Sequence, residues 1–268
     1  MGTLILAVTT LFLYSIGTTL QALSFRGRIS ISKSVVTVIG GLGLVAHTLL
    51  LWQILLVDGA VNLGFFQSSL LISWLVVALL LAMNLTRPLD SLFLGAYPLA
   101  CLTVVFALMT HTPPRFIERD EWGVLSHIAL SVTAYSLFTL AAGQALLVYL
   151  QNRQLKHNYN SPLVRNLPPL QTMESLLFEL LWAGVILLVL AIVTGAIFVS
   201  DLFAQDLAHK TVFSLISLVV FSALLVGRQI QGWRGITASR WTLAGCVLLM
   251  IAYYGSKFVL ELVFHRAG

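Results

Sequence analysis

Six histidines are the residues of this chain with the widest chemical reach, at positions 47, 111, 127, 157, 209 and 265. A neutral imidazole offers one lone pair for a metal or haem iron and one N–H that can fix the ring by a hydrogen bond. His127 lies in WGVLSHIALSVTAYSLFTLAAGQALLVYL (122–150), a stretch long and uncharged enough to cross a bilayer. Ser131, Ala134 and Tyr135 follow it at offsets of four, seven and eight, which as a helix makes one small and polar face suited to a cleft. His47 follows the close-approach glycines Gly40, Gly41 and Gly43 in SVVTVIGGLGLVAHTLLLWQILL, roughly 13 Å from the nearer end of that apolar stretch at helical rise. An ionisable group at such depth is either functional or an imidazole hydrogen-bonded to a neighbouring helix. Near the C-terminus Lys257, Glu261 and His265 recur at spacings of four and share a face. Lys257 leans inward there and needs an anionic partner, either Glu261 or a bound ligand.

The elements that must carry these residues are membrane helices. Of 268 residues 59% are apolar and 9% charged, and the mean hydropathy is +0.96, far from the composition of a soluble domain. Eight apolar stretches are long enough to span, at about 3–24, 34–56, 64–84, 89–110, 122–150, 173–199, 210–227 and 241–264. Only short connections remain. The expected architecture is therefore all-α, a polytopic bundle of eight transmembrane helices in a single domain, 1–268, with its chemistry in or at the edge of the membrane. The first stretch has no basic n-region and reads as a retained helix. Pro98 predicts a kink in the fourth helix, and Gln67, Ser68 and Ser69 read as interfacial residues meeting headgroups. Glu174 reads as a first-turn residue of helix six, Glu179 as either buried or snorkelling, and the polar run 151–172 as a solvated loop.

Loops assigned alternately to two sides place ten Lys or Arg on one and five on the other. The positive-inside rule then puts both termini outside and the four basic loops in the cytoplasm. It also places His111, His127, His209 and His265 at or near the outer surface, His47 in mid-membrane and His157 in the cytoplasm. Four imidazoles at one level suit a cofactor held between facing helices. The high pI follows from topology, so no nucleic-acid partner is implied. Cys101 and Cys246 stand singly inside predicted helices, without the spacing of a redox, zinc or covalent-haem motif. No hydrolytic triad, Walker loop or dinucleotide fingerprint occurs, so soluble-enzyme chemistry has no support in the sequence.

Several short segments in order, SHIALSVTAYS (126–136), GWRG (232–235) and AYYGSKF (252–258), with the AHTLLL of helix two and the eight-helix hydropathy, resemble the cytochrome c assembly membrane protein family. This family includes the CcsA, CcmC and HemX types, and the pattern is nearest to the bacterial inner-membrane YpjD type. The resemblance implies non-covalent haem binding at the outer membrane face and its presentation to apocytochrome c, alone or with other cytochrome c assembly proteins. It implies His127 and His265 as iron ligands, with Lys257 neutralising a propionate, His47 a deeper transit ligand and Tyr135 lining the site. GWRG reads besides as a headgroup anchor. The sequence departs from the CcsA and CcmC pattern in two places. SDLFAQDLAHKTVF (200–213) stands where those branches carry a tryptophan-rich haem-binding loop, and VGRQ (226–229) where a histidine is expected. A cofactor-free regulatory or accessory role of the HemX type, acting through protein partners, is the alternative that these departures leave.

Overall fold

The computed structural model describes residues 2–57, 60–62, 64–109, 116–117, 122–157, 166–198 and 208–255. Eight helices in it are long and apolar enough to cross a membrane. The chain packs as two compact units, 1–119 with 160–167, and 120–159 with 168–268.

The first unit contains α1 (Gly2–Phe25), α2 (Lys33–Leu55), α3 (Phe65–Asn84) and α4 (Phe93–Met109), the last preceded by a 3-10 turn at Asp90–Leu92. Ala7, Leu50, Leu51, Leu55, Leu70 and Val104 from all four helices make one apolar cluster. A second layer is aromatic. Tyr14 of α1 stacks on Tyr97 of α4 at 5.1 Å between centroids, and Tyr97 stacks on Phe93 at 4.9 Å. Both tyrosines are fully buried, and they fit because glycines face them. A Cβ at Gly17 would lie 2.8 Å from the Tyr97 ring and one at Gly43 2.6 Å from the Tyr14 ring, while one at Gly40 would overlap the Tyr97 hydroxyl. α4 is continuous through Pro98.

One expectation for this unit is corrected. Gln67, Ser68 and Ser69 are buried in protein instead of facing headgroups, and Ser73 one turn further on hydrogen-bonds Thr103 of α4 at 2.6 Å. A polar cluster on a helix that is enclosed by neighbours finds its partners in those neighbours. The connections also hold a small antiparallel sheet of β1 (Leu56–Val57), β2 (Ala60–Asn62) and β3 (Phe116–Ile117), with Leu56 opposite Val61 and Asn62 opposite Phe116.

The second unit is a four-helix bundle of α5 (Trp122–His157), α6 (Leu170–Phe198), α7 (Ala208–Gln231) and α8 (Gly235–Met250), α8 continuing as a π-helical turn over Ile251–Gly255. α5 packs against α6 and α8, and α7 closes the ring between those two. Its central layer is Phe138 stacked on Phe221 at 4.2 Å and 9°, with Gly184 and Gly245 beneath the rings. The Cys246 thiol donates to the Phe138 carbonyl at 3.4 Å, so this cysteine is a packing residue. Towards one end Gln144 Nε2 donates to the Met173 carbonyl and Gln151 Nε2 to that of Pro168.

Helix ends differ from those expected. α5 runs seven residues past Leu150 through QNRQLKH, and α6 starts at Leu170, so Glu174 lies one turn inside it. Hydropathy marks where the membrane ends, whereas Gln, Arg, Leu and Lys are good helix formers that carry the hydrogen-bonded ladder into water. α7 ends at Gln231 in a left-handed Gly232, with Gly232 N–H on the Arg228 carbonyl and Trp233 N–H on that of Gly227. α8 starts at Gly235 (φ +58°), six residues before the expected position, because Thr237 and Arg240 lower the hydropathy without breaking the helix.

Gly40→Ala should lower the thermal unfolding midpoint in detergent, because overpacking destabilises the fold by about 1–3 kcal/mol. Gly41→Ala, whose Cβ meets nothing within 4 Å, should keep or slightly raise the midpoint, because alanine is the better helix former. Equal midpoints for the two variants would show that the glycine–tyrosine contact is not tight.

Candidate functional site around His127

His127 occupies the second turn of α5 in the second unit. Its Nδ1 lies 2.7 Å from the carbonyl oxygen of Ala191 on α6. A carbonyl only accepts, so Nδ1 carries the proton and, in the neutral ring, Nε2 keeps its lone pair. The imidazole is half-buried. It also rests against Gly195, where a Cβ would come 2.9 Å from Cε1 and 3.0 Å from Nδ1. Thr194 Oγ1 donates to the same Ala191 carbonyl at 3.1 Å. An imidazole fixed by one ring nitrogen on a backbone carbonyl, with the other nitrogen free, is the usual outer-shell arrangement of a metal-ligating histidine. The donor chemistry at His127 therefore fits a haem iron.

Tyr135 is not brought to the same partners. Its hydroxyl donates to the Leu249 carbonyl of α8 at 2.5 Å, and its ring lies 5.3 Å from that of Tyr253. Two turns along a helix of 3.6 residues per turn rotate a side chain by about 80°, enough for His127 to address α6 and Tyr135 to address α8. Tyr135 thus ties α5 to the end of α8, where the π-helical turn begins.

His47, in the first unit, is fully buried. The Tyr14 hydroxyl lies 3.3 Å from its Nδ1, and the two rings meet edge to face at 5.9 Å. Nε2 of His47 and the Tyr97 hydroxyl have no hydrogen-bond partner among the described residues. Packed this way, a flat macrocycle reaches Nε2 only if the surrounding helices part. His47 fits the hydrogen-bonded alternative better than that of a haem transit ligand. His209 is exposed at the start of α7. His265, Lys257, Glu261 and His111 lie outside the described residues, as does the side chain of His157. No group of three or more His, Cys, Asp or Glu able to hold a metal ion occurs among the described residues.

The family model described as cytochrome C assembly protein matches residues 35–264. The chain belongs to the cytochrome c assembly protein family. The inner membrane protein YpjD of Escherichia coli strain K12 is 32% identical over 227 residues, 83% of this chain and 85% of that protein. The protein HemX of Brevibacillus brevis is 27% identical over 71% of this chain and 72% of its own length. The cytochrome c biogenesis protein CcsA of Prochlorococcus marinus strain MIT 9515 is 22% identical over 61% of each. No solved structure matches.

Within the family frame, the sequence marks His127 by its motif but not the groups that orient it. The Ala191 carbonyl has no sequence signature. Gly195 does have one, as a glycine inside an apolar helix, where close approach by a neighbour is the common reason. Gly195→Ala should push the imidazole off the Ala191 carbonyl. Histidine-selective 15N NMR of the detergent-solubilised protein should then show the His127 Nδ1-protonated pattern in the parent and its loss in the variant. Identical spectra would remove Gly195 from the site.

Proposed function

We propose that this chain is a haem-handling protein of the bacterial inner membrane, which holds haem non-covalently near the periplasmic face and assists cytochrome c assembly. The observation that carries the reading is the oriented His127, its Nδ1 on the Ala191 carbonyl and its Nε2 unspent. Family membership supplies the context, and the relative named for cytochrome c biogenesis points the same way.

On this reading haem is cargo, whose iron takes imidazole nitrogen as an axial ligand. His127 offers Nε2, and the Ala191 carbonyl keeps the ring in the ligating tautomer and increases the basicity of that nitrogen. Gly195 leaves room for the ring to lie close to α6. His265 is the proposed second ligand and Lys257 the proposed propionate partner, both on the resemblance. Orientation with both termini in the periplasm follows from the distribution of Lys and Arg. The protein acts by binding and presenting, with the lipid bilayer as its surroundings and apocytochrome c or other assembly proteins as its partners.

A second reading is a cofactor-free accessory protein of the HemX type. The segment 200–213, without a tryptophan, favours it. Absorption spectra of the purified protein, oxidised and dithionite-reduced, with and without added haem, separate the two. The haem reading expects a Soret band with sharpened reduced bands, lost in His127→Ala and altered in His265→Ala. A spectrum unchanged in His127→Ala would overturn the assignment of that ligand, and no band with excess haem would leave the accessory reading.

A further inference from the structure

The second unit holds three buried polar atoms without a hydrogen-bond partner among the described residues, Gln151 Oε1, Arg228 Nη1 and Ser239 Oγ. All three lie at one end of the bundle, where α5 and α7 finish and α6 and α8 begin. Buried polar groups are almost always paired, so three orphans gathered at one end of four helices call for a common explanation.

The central aromatic layer fixes their levels. Arg228 is seven residues beyond Phe221 on α7, the same helical face, and Ser239 is seven residues before Cys246 on α8. Each therefore lies about 10 Å from that layer towards the same end. The Arg228 guanidinium sits 3.7 Å above the ring of Phe178 on α6, which holds the cation inside the bundle. One turn nearer the end is Glu174, on the same face of α6 as Phe178. A Cβ at Gly235 would lie 3.5 Å from Glu174 Oε1 and 2.6 Å from Asn152 Nδ2, so α5, α6 and α8 converge at this level. Gln151 precedes Asn152 on α5, its amide nitrogen spent on the Pro168 carbonyl and its oxygen free.

The two levels differ in chemistry. The deeper one offers donors, the Arg228 guanidinium and the Ser239 hydroxyl, which suit an oxyanion. The outer one offers acceptors, the Glu174 carboxylate and Gln151 Oε1, which suit an ammonium. A phospholipid headgroup carries its phosphodiester towards the acyl chains and its ammonium further out, in the same order. Depth agrees as well: Asn152 lies 25 residues from His127 along α5, about 37 Å, which spans a hydrocarbon core of about 30 Å and reaches the headgroup level beyond.

We propose that this end of the second unit is a binding site for a phosphoethanolamine zwitterion, with Arg228 and Ser239 on the phosphate and Glu174 and Gln151 on the ammonium. The site is separate from His127 and does not depend on haem. Its source is either the headgroup of phosphatidylethanolamine or free phosphoethanolamine.

The test uses the full chain in a non-ionic detergent, titrated with dihexanoyl phosphatidylethanolamine, dihexanoyl phosphatidylglycerol and free phosphoethanolamine, with binding read by native mass spectrometry. Phosphatidylethanolamine should bind about tenfold tighter than phosphatidylglycerol, as expected when one charge-assisted contact is lost. Arg228→Gln should weaken both lipids by a similar factor. Glu174→Gln should remove the preference between them while leaving phosphatidylglycerol binding unchanged, and this variant carries the test should Arg228→Gln not fold. Binding of free phosphoethanolamine at the strength of the lipid would assign the soluble source, and binding of the lipid alone the membrane. Equal affinities for the two lipids in the parent protein, parent-like selectivity in Glu174→Gln, or no binding of any of the three would overturn the proposal.

Discussion

In a membrane protein a buried hydrogen-bonding group without a partner is the costliest local error, because hydrocarbon offers no water in compensation. The polar side chains of both units are arranged under that constraint. Threonines and serines of the helices bond back to carbonyls four residues earlier, as at Thr10, Thr18, Ser136 and Ser217. Long polar side chains reach across instead. Gln21 donates to the Asp90 carbonyl in the first unit, and Gln144 and Gln151 donate to backbone carbonyls at Met173 and Pro168 in the second. Against this background the few polar atoms left over are informative. His127 is informative for a related reason, since one of its nitrogens is committed and the other is not.

Close packing between helices is achieved by setting aromatic rings against glycines. Tyr14 and Tyr97 lie on Gly43, Gly17 and Gly40, Phe138 and Phe221 on Gly184 and Gly245, and Trp233 on Gly227. Apolar helices gain nothing from hiding surface from lipid, so dispersion contacts of this kind and interhelical hydrogen bonds must hold them. The same device places the imidazole of His127 against Gly195. Trp233, expected to anchor in headgroups, spends one face of its ring on Gly227 and stacks on Trp241 at 5.1 Å.

The eight spans were legible because a run of some twenty apolar residues has one structural meaning in a bilayer. Their ends were not. Hydropathy falls at the membrane surface while the helical ladder continues, so the polar end of α5 and the first turn of α8 read as loops. His127 was legible through its surrounding motif and its cost in an apolar helix. Its partner was hidden, because a backbone carbonyl is the same for every residue. Arg228 stood in plain sight in VGRQ as the residue found where a histidine was expected, but its burial over Phe178 depends on α6, fifty residues away in the chain.

Composition and pattern by themselves determined that this is a multi-spanning helical protein with short connections and an unequal distribution of basic residues, because transfer between water and hydrocarbon acts on each segment independently. Membership of the cytochrome c assembly family was likewise written in short motifs. Tertiary structure alone decided which nitrogen of His127 is free, that His47 is walled in by tyrosine, and that donors and acceptors from four helices gather at one end of the second unit. Those facts depend on which faces meet, and helix–helix contacts in lipid are chosen by shape at a few small residues, a choice that no single segment contains.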